Sequence, residues 1–150
     1  MRATRRAASL TAATAAVLAL AVAGCSSSAG PGNVSTASAA VAAPTNGAEL
    51  DAAGFAAAMK RPGTVVLDVR TPGEFAAGHL AGAVNIDVEA PDFRTRVAGL
   101  AKDVPYAVYC RSGNRSGTAL SVMGSLGFTS TYHLGGGITA WTNASGAVVK

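Results

Sequence analysis

Seven consecutive residues, Cys110-Arg111-Ser112-Gly113-Asn114-Arg115-Ser116, hold most of the chemistry this sequence can offer. They follow Tyr106-Ala107-Val108-Tyr109, apolar enough for a buried strand, and precede residues 116–126, whose apolar spacing predicts a helix. A cysteine is thereby put at the carboxyl end of a strand, where open α/β sheets bind ligands. Backbone N–H groups of such a loop converge on the sulfur, Gly113 permits a positive φ, and the next helix adds its positive end. With Arg111 and Arg115 beside it, the thiol of Cys110 is expected to ionise below the free value of about 8.5 and to act as a nucleophile. Arg111, Ser112, Gly113, Asn114, Arg115 and Ser116 form the candidate binding loop for an anion. The bland alternative is an inert, buried cysteine at a strand end.

The elements that must carry this loop are legible around it. Residues 51–60 read as a helix stopped by Arg61-Pro62-Gly63, and residues 64–67 as a short buried strand. Thr71-Pro72-Gly73-Glu74-Phe75 opens a turn, residues 83–86 a second strand and residues 92–100 a second helix. After the cysteine-bearing strand and its helix, residues 131–134 form a last strand before Gly135-Gly136-Gly137. Strands alternating with helices imply parallel pairing and a layered α/β domain. The glycine triplet lacks the Lys-Ser/Thr of a phosphate loop and reads as a turn.

Charge and composition divide the chain. The first 48 residues carry only Arg2, Arg5 and Arg6 and no acid, while all eight aromatic residues lie beyond residue 50. Without those three arginines, nine basic residues face eight acidic ones, so the folded part lacks the basic stripe of a nucleic-acid-binding protein. Residues 1–24 read as an export signal: a positive start, then 18 uncharged, alanine-rich residues, rather weak for a spanning helix. Val22-Ala23-Gly24-Cys25 resembles the bacterial lipobox, whose cysteine is diacylated and becomes the new N-terminus. That resemblance makes Cys25 the lipidation site and implies a membrane-held protein on the extracytoplasmic side, since two acyl chains anchor firmly. Residues 25–47 are Ser-, Ala-, Gly- and Pro-rich, cannot bury a core, and form a flexible tether spanning roughly 25 Å. Residues 48–150 are the folded domain.

Four segments in order give that domain a family resemblance. They are Leu67-Asp68-Val69-Arg70-Thr71-Pro72-Gly73-Glu74-Phe75, Gly78-His79-Leu80-Ala81-Gly82-Ala83-Val84-Asn85-Ile86, Tyr109-Cys110-Arg111-Ser112-Gly113-Asn114-Arg115-Ser116 and Leu134-Gly135-Gly136-Gly137-Ile138-Thr139-Ala140-Trp141. Residues 48–150 resemble a single-domain rhodanese, a sulfurtransferase. The resemblance implies a three-layer α/β sandwich around a five-stranded parallel sheet and a persulfide carried on Cys110. It puts the first strand near Ala48-Glu49-Leu50, where the residues themselves support a strand poorly. A donor such as thiosulfate would supply the sulfur and a thiol or other thiophilic acceptor would take it.

Two rival readings share the fold. Phosphatase and arsenate-reductase relatives resemble Cys-x5-Arg, whereas here Ser116 occupies that position and Arg115 comes one residue early. A non-catalytic sulfide carrier would use the same persulfide without turnover. Asp68, at a strand end, is a candidate support for the loop. Arg70 and Glu74 are expected to pair across their turn, and His79 and His133 to be structural. Neither histidine forms a metal set with Cys110, and no cofactor is called for.

Overall fold

The computed structural model describes residues 42–150. Cys25, the export signal and most of the tether lie outside the described residues. The chain runs β1 (Ala48–Leu50), α1 (Ala52–Met59), β2 (Val65–Asp68), α2 (Pro72–Ala77), β3 (Val84–Asn85), α3 (Phe93–Ala98), β4 (Tyr106–Tyr109), α4 (Asn114–Ser125), β5 (Thr131–Leu134) and α5 (Gly137–Asn143). The five strands form one parallel sheet in the order β1-β5-β4-β2-β3, as the family resemblance implies. β4, the strand that leads into Cys110, is central and pairs with β2 and β5.

Strand alternation sorts β4 between two cores. Tyr106, Val108 and Cys110 face the side covered by α3 and α4, among Leu67, Phe93, Val97, Leu120 and Met123. Ala107 and Tyr109 face the other side with Phe55, Leu80, Tyr132 and Leu134, against which Ile138 and Trp141 pack. Cys110 therefore belongs to the α4 face, and its neighbour Tyr109 to the opposite one.

β1 lies where the resemblance puts it, a three-residue edge strand made by tertiary contacts: Asn46 Oδ1 accepts from the backbone N and the hydroxyl of Thr131 at 2.8 and 2.9 Å, fixing the entry to the sheet. Helix α5 begins at Gly137 where a turn was expected, because a run of glycines conceals a start that needs them. A Cβ at Gly137, whose φ is +59°, would collide with the backbone of Cys110 and Arg111. Through this close approach, Ile138 N donates to Cys110 O at 2.8 Å and the Thr139 hydroxyl donates to Arg111 O at 3.0 Å. The apolar pair Ile138 and Trp141, one turn apart, was the available signal for this helix.

The end of β2 is fixed by a buried ion pair. Asp68 is fully buried and accepts from Arg70 through its backbone N at 2.9 Å, Nε at 3.0 Å and Nη2 at 2.6 Å. Arg70 Nη2 also donates to Gly78 O at 2.8 Å, and its guanidinium lies over the Tyr109 ring. Arg70 thus turns inward to Asp68 rather than pairing with Glu74 as expected. Although burial pulls it down, its bonds to Asp68 leave the Arg70 pKa raised. Replacing Asp68→Asn strands the guanidinium without a countercharge, and stability should fall by about 3–5 kcal/mol. Urea unfolding checks this; an unchanged midpoint would show that the pair is dispensable.

Candidate active site

Cys110 is the first residue after β4 and is fully buried. Among the described residues it is a free thiol. Gly113 takes φ +100°, a conformation that side-chain-bearing residues rarely adopt, and its N–H donates to Cys110 Sγ at 3.1 Å. A Cβ at Gly113 would also stand 3.3 Å from Gly136 N, so the loop closes tightly onto the glycine turn before α5. Gly113 caps α4, which starts at Asn114, two residues earlier than expected. The earlier start draws Ser116 into the first turn, and its buried hydroxyl comes to 3.6 Å from Cys110 Sγ.

These donors decide the thiol's ionisation. Burial pushes the Cys110 thiol up; the Ser116 hydroxyl and the backbone N–H groups of Ser116, Ser112 and Gly113 outweigh it, leaving the thiol below its ordinary value. The direction agrees with the sequence reading, but the contribution of the Ser116 side chain was not foreseen there.

The two loop arginines have different roles. Arg115 forms a fork with Glu74, Nη1 to Oε2 at 2.9 Å and Nη2 to Oε1 at 2.8 Å, and also donates to Glu89 Oε2 at 3.1 Å. Expected to attract a donor, it is instead engaged by two carboxylates. Glu74 is aimed at it by the start of α2: Oε2 accepts from Thr71 N at 3.2 Å, while Thr71 Oγ1 accepts from Glu74 N at 3.3 Å, closing a capping box. The bonds from Arg115 chiefly hold Glu74 down to about 2, and the same fork raises Arg115. Arg111 is exposed and lines a cleft of about 460 Å³ beside the loop, with Arg70, Gly78, Ile138, Thr139 and Val148. Ser112 and Asn114 are exposed on the loop's outer side.

The remaining candidates fall into place around this loop. Asp68 lies one remove from the loop: its partner Arg70 sits over the ring of Tyr109, the residue before Cys110, whose hydroxyl accepts from Leu80 N at 3.1 Å. His79 is a turn histidine, its Nδ1 3.0 Å from Phe75 O and its ring stacked on Phe75. His133, expected to be structural, lies with Nδ1 3.0 Å from Ser116 Oγ, one contact from the sulfur. No group of three or more His, Cys, Asp or Glu among the described residues is arranged to hold a metal ion.

A family model described as the rhodanese-like domain matches residues 51–144. The chain belongs to the rhodanese family. It is similar to the thiosulfate sulfurtransferase GlpE of Pseudomonas fluorescens strain SBW25, 41% identical over 87 residues, covering 57% of this chain and 77% of that protein. GlpE of Pseudomonas entomophila is 37% identical over 86 residues, with the same coverage. Among solved structures, a rhodanese-related protein from Thermoplasma volcanium superposes with a TM-score of 0.61 at 33% identity, covering 68% of this chain and 97% of that one. The rhodanese-like domain of an Anabaena protein gives a TM-score of 0.61 at 27% identity, covering 67% of this chain and 77% of that one. The matched residues include both the Cys110 loop and α5.

The Glu74–Arg115 fork sets an acid dependence. Its contribution is full above the ordinary Glu value of 4.5 and is lost as pH falls toward about 2, where the folded-state carboxylate takes up its proton. Solvent screening of these half-buried groups limits it to about 1 kcal/mol. Unfolding free energies of the protein and of Glu74→Gln should differ by a constant amount above about pH 5 and converge below it. Parallel curves throughout would remove the fork as their cause.

Proposed function

We propose that this rhodanese-family enzyme, thiosulfate sulfurtransferase-like in sequence, moves sulfane sulfur through a persulfide on Cys110 on the extracytoplasmic side of a membrane. The observation that carries the reading is the Cys110 sulfur, held below its ordinary pKa by loop donors at the end of the central strand. In the first step the thiolate attacks the outer sulfur of a donor such as thiosulfate. The donor's S–S bond breaks, sulfite leaves with its electron pair, and Cys110 carries a persulfide anion. In the second, an acceptor thiolate (or cyanide in an assay) attacks the outer sulfur and returns Cys110 as thiolate. Splitting the transfer in this way gives ping-pong kinetics.

The loop supports each step differently. Donors already aimed at Sγ can stabilise the persulfide anion without reorganising. Arg111, exposed beside the cleft, is the cation that meets an anionic donor; Arg115, clamped by Glu74 and Glu89, holds the loop. Phosphoester cleavage fits less well, because the loop arginine that would close around a tetrahedral oxyanion is committed to carboxylates.

The location rests on the leader. In this reading residues 1–24 are removed on export, Cys25 is diacylated, and residues 25–47 tether the domain to the membrane. Cys25→Ser should abolish incorporation of labelled fatty acid and leave either an uncleaved precursor in the membrane or a released form. A parent protein that takes up no acyl label would overturn the anchor.

Intact mass after thiosulfate treatment should rise by one sulfur and return on adding cyanide, and Cys110→Ser should show neither change. Arg111→Ala should weaken donor binding by about 1–3 kcal/mol, seen as a raised KM. Arg115→Ala should instead mainly lower stability. A persulfide that forms but is never passed on would leave a sulfide carrier; sulfur transfer by Cys110→Ser would end the persulfide reading.

A further inference from the structure

Ser116 has one hydroxyl proton and three neighbours that compete for it. Its Oγ lies 2.8 Å from Gly113 O, 3.0 Å from His133 Nδ1 and 3.6 Å from Cys110 Sγ. While Cys110 is a thiol, the sulfur donates to Oγ and the hydroxyl proton is free to serve Gly113 or His133. When the thiol ionises, the sulfur becomes solely an acceptor, and the Ser116 proton must turn toward it. Oγ is then left as an acceptor inside a buried site, and His133 Nδ1 stands within hydrogen-bond distance of it. An Nδ1 that carries a proton completes the chain; an Nδ1 that presents a lone pair competes with the sulfur for the same hydroxyl proton.

We propose that His133 is a positioning residue for the Cys110 thiolate, acting through Ser116 by donating from Nδ1 so that the Ser116 hydroxyl points at the sulfur. The far nitrogen has its own partner: Nε2 lies 3.5 Å from Glu49 Oε2, brought there by the parallel register of β1 on β5 that sets Glu49 beside His133. The groups facing the imidazole are thus Glu49 from β1, Ser116 from α4, and Gly117, whose backbone approaches the ring; β4 sets Val108 beside it in register. A cavity of about 310 Å³, lined by His133 with Asn46, Gly117, Ser121, Gly124 and Thr131, opens beside the ring. Burial pulls His133 below its ordinary value while Glu49 opposes it, so a proton on Nδ1 has to be sustained by Glu49 at the far nitrogen and by the Cys110 thiolate acting through Ser116. Thiolate at Cys110 and a proton on Nδ1 therefore favour each other. This rests on Cys110 being the reacting thiol, but thiol titration tests it even in a protein that transfers no sulfur.

The experiment is the pH dependence of iodoacetamide alkylation in the full chain, together with ultraviolet thiolate absorbance. His133→Leu, which cannot donate, should raise the midpoint by about one pH unit, lowering alkylation about tenfold on the acid side. His133→Asn, whose amide N–H can stand where Nδ1 does, should restore most of that loss. Ser116→Ala should raise the midpoint as well, and adding His133→Leu to it should shift it no further. In the unsubstituted protein, alkylating Cys110 should move the Nδ1 resonance of 15N-labelled His133, a readout that needs no variant to fold. A His133→Leu midpoint equal to the parent's, an additive double variant, or an Nδ1 resonance indifferent to alkylation would each overturn the proposal and leave His133 a packing residue.

Discussion

A sulfur removed from water can bear a negative charge only where fixed hydrogen-bond donors replace the lost solvation. Among the described residues, Cys110 meets that requirement through hydroxyl and amide donors. The Gly113 amide, the first turn of α4 and the Ser116 hydroxyl surround it, and their combined effect exceeds the cost of its burial. Most other features of the domain follow from keeping those donors aimed. The central strand delivers the cysteine, the positive φ of Gly113 turns an amide back onto it, and α4 must begin early enough to bring Ser116 within reach.

A loop this tight needs fastening on both sides. On one, α5 begins so close to Cys110 and Arg111 that only glycine fits at position 137, and its first amides hold their carbonyls. On the other, Arg115 is gripped by Glu74, itself fixed by the capping box of α2, and by Glu89. Beneath both lies the Asp68–Arg70 pair, whose guanidinium sits over the ring of Tyr109, the residue before the cysteine. A deviation at any of these points would be felt at the sulfur as a lost or misdirected N–H.

This fastening divides the labour of the positive charges. An arginine held bidentately by a carboxylate is close to electrically neutral at a distance, so Arg115 adds rigidity rather than attraction. Arg111 is left at the edge of the cleft as the exposed loop cation.

Alternation of short apolar runs with polar helical stretches was enough to indicate a layered α/β domain, and β4, β5 and the cysteine at a strand end were all legible in local pattern. Strand hydrophobicity and turn chemistry are local properties, and the Cys110 loop is contiguous, so its residues could be named together. The partners that tune them come from far along the chain. Glu74 reaches Arg115 across 41 residues, β1 exists because β5 and Asn46 hold three weak strand formers in place, and His133 meets Ser116 because two elements pack. An i to i+4 spacing suggested that Arg70 pairs with Glu74; burial at the sheet end drew Arg70 to Asp68 instead. The sequence by itself determined which residue is the candidate nucleophile and what class of loop surrounds it. Which donors face that atom, and which charges are spent on structure, was decided by the tertiary fold, because hydrogen-bond direction and charge pairing depend on distances that linear spacing does not contain.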